Sequence, residues 1–212
     1  LDGADRMHAR DVVAGWMAGR WRVEPATLQA IRPTRIDGEE SLPGIRALPL
    51  RTPTLPPATH TNCYVLGHRN GLVVDPGAHI ESEIARLHDA IDRHIGRYGP
   101  IRAIVLTHYH RDHVGGALTL SQRTGLPIWA HALTAERLSF PVDRLIVDTE
   151  ALTSDWTAVH TPGHAPGHMA LYRQTDGAVI TGDLVASVGT ILVDPKDGEM
   201  GQYLESLRRI LR

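Results

Sequence analysis

The chain has 212 residues, 42% hydrophobic and 22% charged, enough to bury one sizeable core with a short attached piece and too few for two full domains. Its 22 basic residues against 24 acidic ones leave a formal net charge of −2, which excludes a dedicated polyanion-binding protein but leaves room for an RNA substrate. The absence of any run of about 18 apolar residues argues against a transmembrane helix, and the lone Cys63 rules out an internal disulfide framework or a Cys-rich zinc cluster.

The expectation is a cytoplasmic protein in a reducing compartment, with no membrane contact and no stable nucleic-acid partner. Histidine is the outlier. There are 13 of them against one Phe, four Trp and five Tyr, which invites a search for a metal site.

Residues 1–44 differ from the rest. An amphipathic stretch from Asp5 to Arg22 precedes Pro25, Pro33, Gly38 and Pro43 in a polar run, so a helix and a linker are expected. With Leu1 as the first residue, this segment reads equally as the tail of a preceding domain or as a simple extension.

From Ile45 the pattern is that of one α+β domain over 45–212. Strands are expected at Ile45–Leu50, Thr61–Leu66 and Leu72–Val74, with a hairpin turn at Asn70-Gly71 because both positions tolerate positive φ. Ile80, Ile84, Leu87, Ile91 and Ile95 form one face of a helix over His79–Arg97.

Next come a strand at Ile101–Leu106, a helix from Val114 to Thr124 ended by Gly125, a strand at Pro127–Ala130 and a short helix at Leu133–Leu138. Further strands are expected at Leu145–Val147, Thr157–His160, Met169–Arg173, Ala178–Thr181 and Thr190–Val193. The last helix, Glu199–Arg212, carries Met200, Leu204, Leu207 and Leu211 at helical spacing but no capping Gly or Asn. Strands before and after the helices imply two facing sheets with helices outside, a four-layer sandwich truncated at its C-terminal end.

The chemistry concentrates in Thr107-His108-Tyr109-His110-Arg111-Asp112-His113, directly after a strand. In an extended strand end, His108 and His110 project to the same side and can reach one cation. Asp112 and His113 swing in from another direction as the chain turns into a helix, so one loop can feed two metal positions. Asp75, His164 and Asp183 also stand at the ends of apolar runs beside Gly and Pro turns.

This constellation resembles the metallo-β-lactamase fold superfamily from about Ile45 to the C-terminus. The HxHxDH signature is met by His108, His110, Asp112 and His113, with Asp75, His164 in Thr-Pro-Gly-His and Asp183 in Thr-Gly-Asp following the family order. The resemblance implies an αββα sandwich with two zinc ions. His108, His110 and His164 would hold the first, and Asp112 and His113 the second. Asp183 would bridge the pair, and Asp75 would orient ligands through hydrogen bonds.

One departure stands out: the family supplies a further histidine downstream, and none follows His168 here. A fragmentary chain is the favoured explanation, ahead of substitution by His60 or His79 or a weak second site.

The implied function is a hydrolase that uses a zinc-bound hydroxide on an ester, thioester or phosphodiester, with Asp112 and Asp75 assisting catalysis. Its partner would be a small-molecule or RNA substrate, as in the glyoxalase II and β-lactamase-like protein 2 branches. An alternative is a persulfide dioxygenase holding one iron through His108, His164 and Asp183, and another is a metal-binding module without turnover. Tyr109 and Arg111 read either as groove residues that bind an anionic substrate or as plain surface. His160 and His168 read as packing around the His164 turn, and Cys63 as core.

Overall fold

The computed structural model describes residues 40–186 and 189–211. Of the helix and linker expected over residues 1–44, residues 1–39 lie outside the described residues, and Glu40–Leu42 form a strand paired with the one that follows rather than linker. None of the described helices is long and apolar enough to cross a membrane.

The first seven strands form one sheet in sequence order: β1 (Glu40–Leu42), β2 (Ile45–Arg51), β3 (His60–Leu66), β4 (Gly71–Val74), β5 (Ile101–Val105), β6 (Ile128–His131) and β7 (Arg144–Ile146). β1 to β4 pair antiparallel, and β4 to β7 pair parallel. Parallel neighbours need crossovers. α1 (Glu81–Tyr98) supplies the one between β4 and β5, and α2 (Arg111–Val114) with α3 (Ala117–Thr124) the one between β5 and β6. α4 (Ala132–Ala135) follows β6. The second sheet is an antiparallel set of three in the order β10 (Ala178–Ile180), β9 (Met169–Arg173), β8 (Trp156–His160).

Side chains alternate across the large sheet, and the two cores follow from that period of two. Val73, Ile104, Ile128, Cys63 and Val65 pack with Leu87, Ile91 and Leu120 of α1 and α3. Leu72, Val74, Ala103, Val105 and Trp129 face the other way, onto Trp156, Ala158, Met169 and Leu171 of the smaller sheet. Both faces of the large sheet are therefore buried. Helices, sheet, sheet and finally α5 (Met200–Ile210) give the expected four layers. α5 is fastened by Ser206 Oγ to the Pro162 carbonyl at 2.7 Å and by Tyr203 Oη to that of Leu184 at 2.8 Å.

Three local expectations are corrected. The helix expected over Val114–Thr124 is split at Gly115-Gly116, because the chain after β4 passes directly over it. A Cβ on Gly116 would lie 2.2 Å from the Ala78 carbonyl oxygen, and the Gly116 N–H donates to Pro76 O at 2.8 Å. The hairpin turn sits one residue early, with positive φ at Arg69 and Asn70 and Gly71 already in β4.

Residues Thr190–Val193 form no strand. The Leu192 carbonyl is committed instead to a histidine side chain, His164.

Truncation between the sheets should be costly and truncation on the edge strand should not. Leu171→Ala, at 0% exposure, is expected to lose about 2–5 kcal/mol in urea unfolding, whereas Leu145→Ala, at 55%, should change stability by about 0.5 kcal/mol or less.

Candidate metal centre

Because β4 and β5 run parallel, their C-terminal ends share one edge of the sheet, and Asp75 and Thr107 lie there side by side. Asp75 is 2% exposed and holds φ of 52°. Its Oδ1 accepts the Thr107 N–H at 2.8 Å. Its Oδ2 accepts the Thr107 hydroxyl at 2.6 Å and the His113 Nδ1–H at 2.8 Å.

With its proton committed to Asp75, the Thr107 hydroxyl can only accept from His108 Nδ1–H, at 2.9 Å. His108 therefore turns Nε2 and its lone pair inward. His164 does the same by a different route, its Nδ1–H donating to Leu192 O at 2.7 Å.

The inward nitrogens converge. His108 Nε2 lies 3.1 Å from His110 Nδ1 and 3.3 Å from His164 Nε2, and the last two are 2.9 Å apart. Ligand atoms on a tetrahedron with bonds of 2.0–2.1 Å sit about 3.3 Å apart, so the spacing suits one cation. Three lone-pair nitrogens at this distance repel unless positive charge lies between them. Burial, and then the charges of neighbouring histidines, push His108 well below the ordinary imidazole range, and burial with His164 lowers His110. Both rings are thus neutral and ready to ligate.

Asp183 closes this group. The donor atoms of His108, His110, His164 and Asp183 all lie within 4.8 Å of one another. Its two oxygens face different ways: Oδ2 is 3.4 Å from His164 Nε2, and Oδ1 is 3.2 Å from His113 Nε2. His113 Nε2 is in turn 3.7 Å from Asp112 Oδ2, which Thr61 Oγ1 holds by a 3.1 Å hydrogen bond.

Burial opposes the charge on His113, but Asp75 and Asp183 on either side outweigh it and hold its pKa well above the ordinary value. Asp183 is likewise pushed up by burial, yet His113 and then His164 bring it well below the carboxylate range. The space between His113, Asp112 and Asp183 thus favours positive charge.

All six ligand candidates and Asp75 therefore meet at one sheet edge. His60 reaches the cavity mouth, but its Nδ1 pairs with Thr59 Oγ1 at 2.7 Å. His79 does not line the cavity, and neither residue joins the donor group among the described residues.

The sequence reading missed Thr107, Thr61 and the Leu192 carbonyl. The one available signal was the position of Thr107, directly before His108. His168 packs around the His164 turn as expected and does more. Its Nε2 accepts the Asp183 N–H at 3.1 Å, and its Nδ1–H reaches Thr161 Oγ1 at 2.8 Å. Burial and His164 push its pKa down to about 3, so it stays neutral and keeps that acceptor. His160 donates Nε2–H to Pro166 O at 2.9 Å and stacks on His131.

The donors line a groove of about 560 Å³, walled by residues 53–58 on one side and Val185, Ile191 and Leu192 on the other. Asp75→Asn removes the acceptor that orients Thr107 and His113, and is expected to weaken cation affinity about 10- to 100-fold in competition with a chelating dye. Unchanged affinity would reduce Asp75 to a structural residue.

The family profile described as the metallo-beta-lactamase superfamily matches residues 56–143 and 135–212. A hydroxyacylglutathione hydrolase of Methylobacillus flagellatus is 36% identical over 151 residues, 68% of this chain and 54% of its own length. The hydroxyacylglutathione hydrolase GloC of Haemophilus influenzae is 28% identical over 174 residues, 71% of this chain and 79% of its own length.

A beta-lactamase domain protein from Burkholderia ambifaria has a crystal structure that superimposes with a TM-score of 0.70 at 25% identity, over 84% of this chain and 65% of that one. The chain thus spans about half of the Methylobacillus enzyme. Profile, relatives and fold agree with the donor cluster at the sheet edge, and the chain belongs to the metallo-beta-lactamase superfamily.

Proposed function

We propose that the chain is a metal-dependent hydrolase of thioesters, acting in the reducing cytoplasm. The observation that carries this reading is the division of the donors into two sets that share Asp183. His108, His110 and His164 would hold one cation, and Asp112 and His113 a second. Imidazole and carboxylate donors without thiolate suit zinc and also accept iron. When bound, such a pair supplies the Lewis acidity that polarises a carbonyl and acidifies water toward neutral pH.

The chain's own residues do the rest. Asp75 keeps Nε2 of His113 turned inward directly, and that of His108 through Thr107. Asp112, steadied by Thr61 at the inner end of the groove, is placed to orient attacking water and take its proton. The water oxygen then bonds to the acyl carbon, the C–S bond breaks, and the products are a carboxylate and a thiol. Pro56, Pro57, Ile191 and Leu192 line the groove and offer apolar surface to the acyl or thiol group of the substrate.

The thioester is favoured over a phosphodiester because both relatives are named for hydroxyacylglutathione, itself a thioester. Three converging imidazoles also favour hydrolysis over a two-His, one-carboxylate iron site, since His110 is as close to its neighbours as His108 and His164 are to each other.

The test is elemental analysis of the purified protein together with release of thiol from an acyl thioester, before and after chelation. Near two zinc ions per chain and chelator-sensitive activity are expected. A single iron with oxygen consumption would overturn the reading. His110→Ala should remove one of the three nitrogens and abolish tight binding at the first position together with activity; wild-type rates in that variant would sink the ligand assignment. Asp112→Asn should lower kcat at least about 100-fold, as expected for loss of a positioned base, while one cation per chain stays tightly bound.

A further inference from the structure

The groove's charged lining is lopsided. Asp75, Asp112 and Asp183 lie at the donor cluster, and Asp194 and Asp197 also line the cavity; against them Arg111 is the one arginine or lysine among the described lining residues. Asp112, Asp194 and Asp197 are each already engaged. Asp112 accepts from Thr61, Asp194 Oδ1 accepts the Lys196 N–H, and Asp197 pairs with Arg137 at 3.1 Å. Arg111 is exposed, and its side chain makes no hydrogen bond, ion pair or ring contact among the described residues.

Its place in the chain is fixed between His110 and Asp112, at the start of α2. A guanidinium held there stands on the groove wall next to the donor cluster, with its N–H donors open to a substrate anion. One cation among several carboxylates cannot track a nucleic-acid backbone, which calls for a row of positive groups. It suits a single carboxylate, which a guanidinium grips through two parallel N–H bonds.

Resting on the thioesterase reading, we propose that Arg111 is the specificity residue of the groove and binds a carboxylate carried by the thioester substrate. The carboxylate can sit on the thiol half or on the acyl half, and the experiment separates the two. Three substrates are compared: S-acetyl-N-acetylcysteamine, which is neutral; S-acetyl-N-acetylcysteine, with the carboxylate on the thiol; and S-succinyl-N-acetylcysteamine, with it on the acyl group.

The readout is the ratio of kcat/KM for each charged substrate to that for the neutral one, which cancels any loss of folding or metal loading. Arg111→Met keeps the apolar stem and removes the charge. It is expected to lower one of the two ratios about 10- to 100-fold, the usual effect of losing a charge-assisted hydrogen-bonded pair, and Arg111→Lys should restore part of it. The ratio that falls identifies the half that bears the carboxylate. Ratios unchanged in Arg111→Met would overturn the assignment.

Should wild-type protein cleave none of the three, the thioesterase reading fails and binding decides the fate of Arg111. Calorimetry with the uncleavable thioethers S-propyl-N-acetylcysteamine, S-propyl-N-acetylcysteine and S-(3-carboxypropyl)-N-acetylcysteamine should then show tighter binding of a charged ligand that Arg111→Met abolishes. No preference, or one that survives the substitution, removes the anchor.

Discussion

The carboxylate of Asp75 is the constraint on which the rest of the site depends. It gathers three protons, from the Thr107 backbone, the Thr107 hydroxyl and His113. Each commitment fixes something further out: the end of β5 against the end of β4, the tautomer of His108, and the rotation of His113. A buried carboxylate is costly unless hydrogen-bonded, and this one is bonded on both oxygens. The parallel pairing of β4 and β5 makes the arrangement available, because it brings two strand ends to the same edge.

The smaller sheet supplies the remaining donors, and its placement is a packing result. Trp156, Met169 and Leu171 hold it against the large sheet. Beyond β8 the chain bends through Gly163, at φ of +129°, where a Cβ would lie 2.2 Å from the Tyr203 nitrogen. That close approach seats α5 on the His164 turn. His168 then ties this turn to Asp183 through the Asp183 N–H. Two cores and one buried neutral imidazole thus decide whether Asp183 can face both donor sets.

Electrostatics separates the donor cluster from its surroundings. At the donor cluster, carboxylates stand beside the neutral imidazoles of His108 and His110, which attracts cations and disfavours a bare anion. Outside the groove lining, Tyr109 lies under Arg137 at 5.2 Å, and burial with Asp197 pushes its phenol up to about 12. Arg137 in turn engages Asp197. Arg137 and Asp197 satisfy one another, and among the described lining residues Arg111 is left as the basic group with unused hydrogen-bonding capacity.

Much of this was legible in the sequence. The period-two apolar runs of β3, β4 and β5, the helical face of α1 and the order of Asp75, His108, His110, Asp112, His113, His164 and Asp183 can all be read from local spacing. Local spacing reports side-chain direction and chain order, and those are properties of short segments. The break at Gly115-Gly116, the loop at Thr190–Val193 and the roles of Thr107, Thr61 and His168 were not legible.

Each of these depends on a partner far away in the chain: the Ala78 carbonyl over Gly116, His164 on Leu192, Asp75 beside Thr107, Asp112 beside Thr61, and Asp183 beside His168. The sequence by itself determined which donors exist and that they stand at strand ends. Only the tertiary structure decided which nitrogen of each ring faces inward, how Asp183 divides its oxygens and which cation is left free, because those are matters of hydrogen-bond geometry between segments brought together by folding.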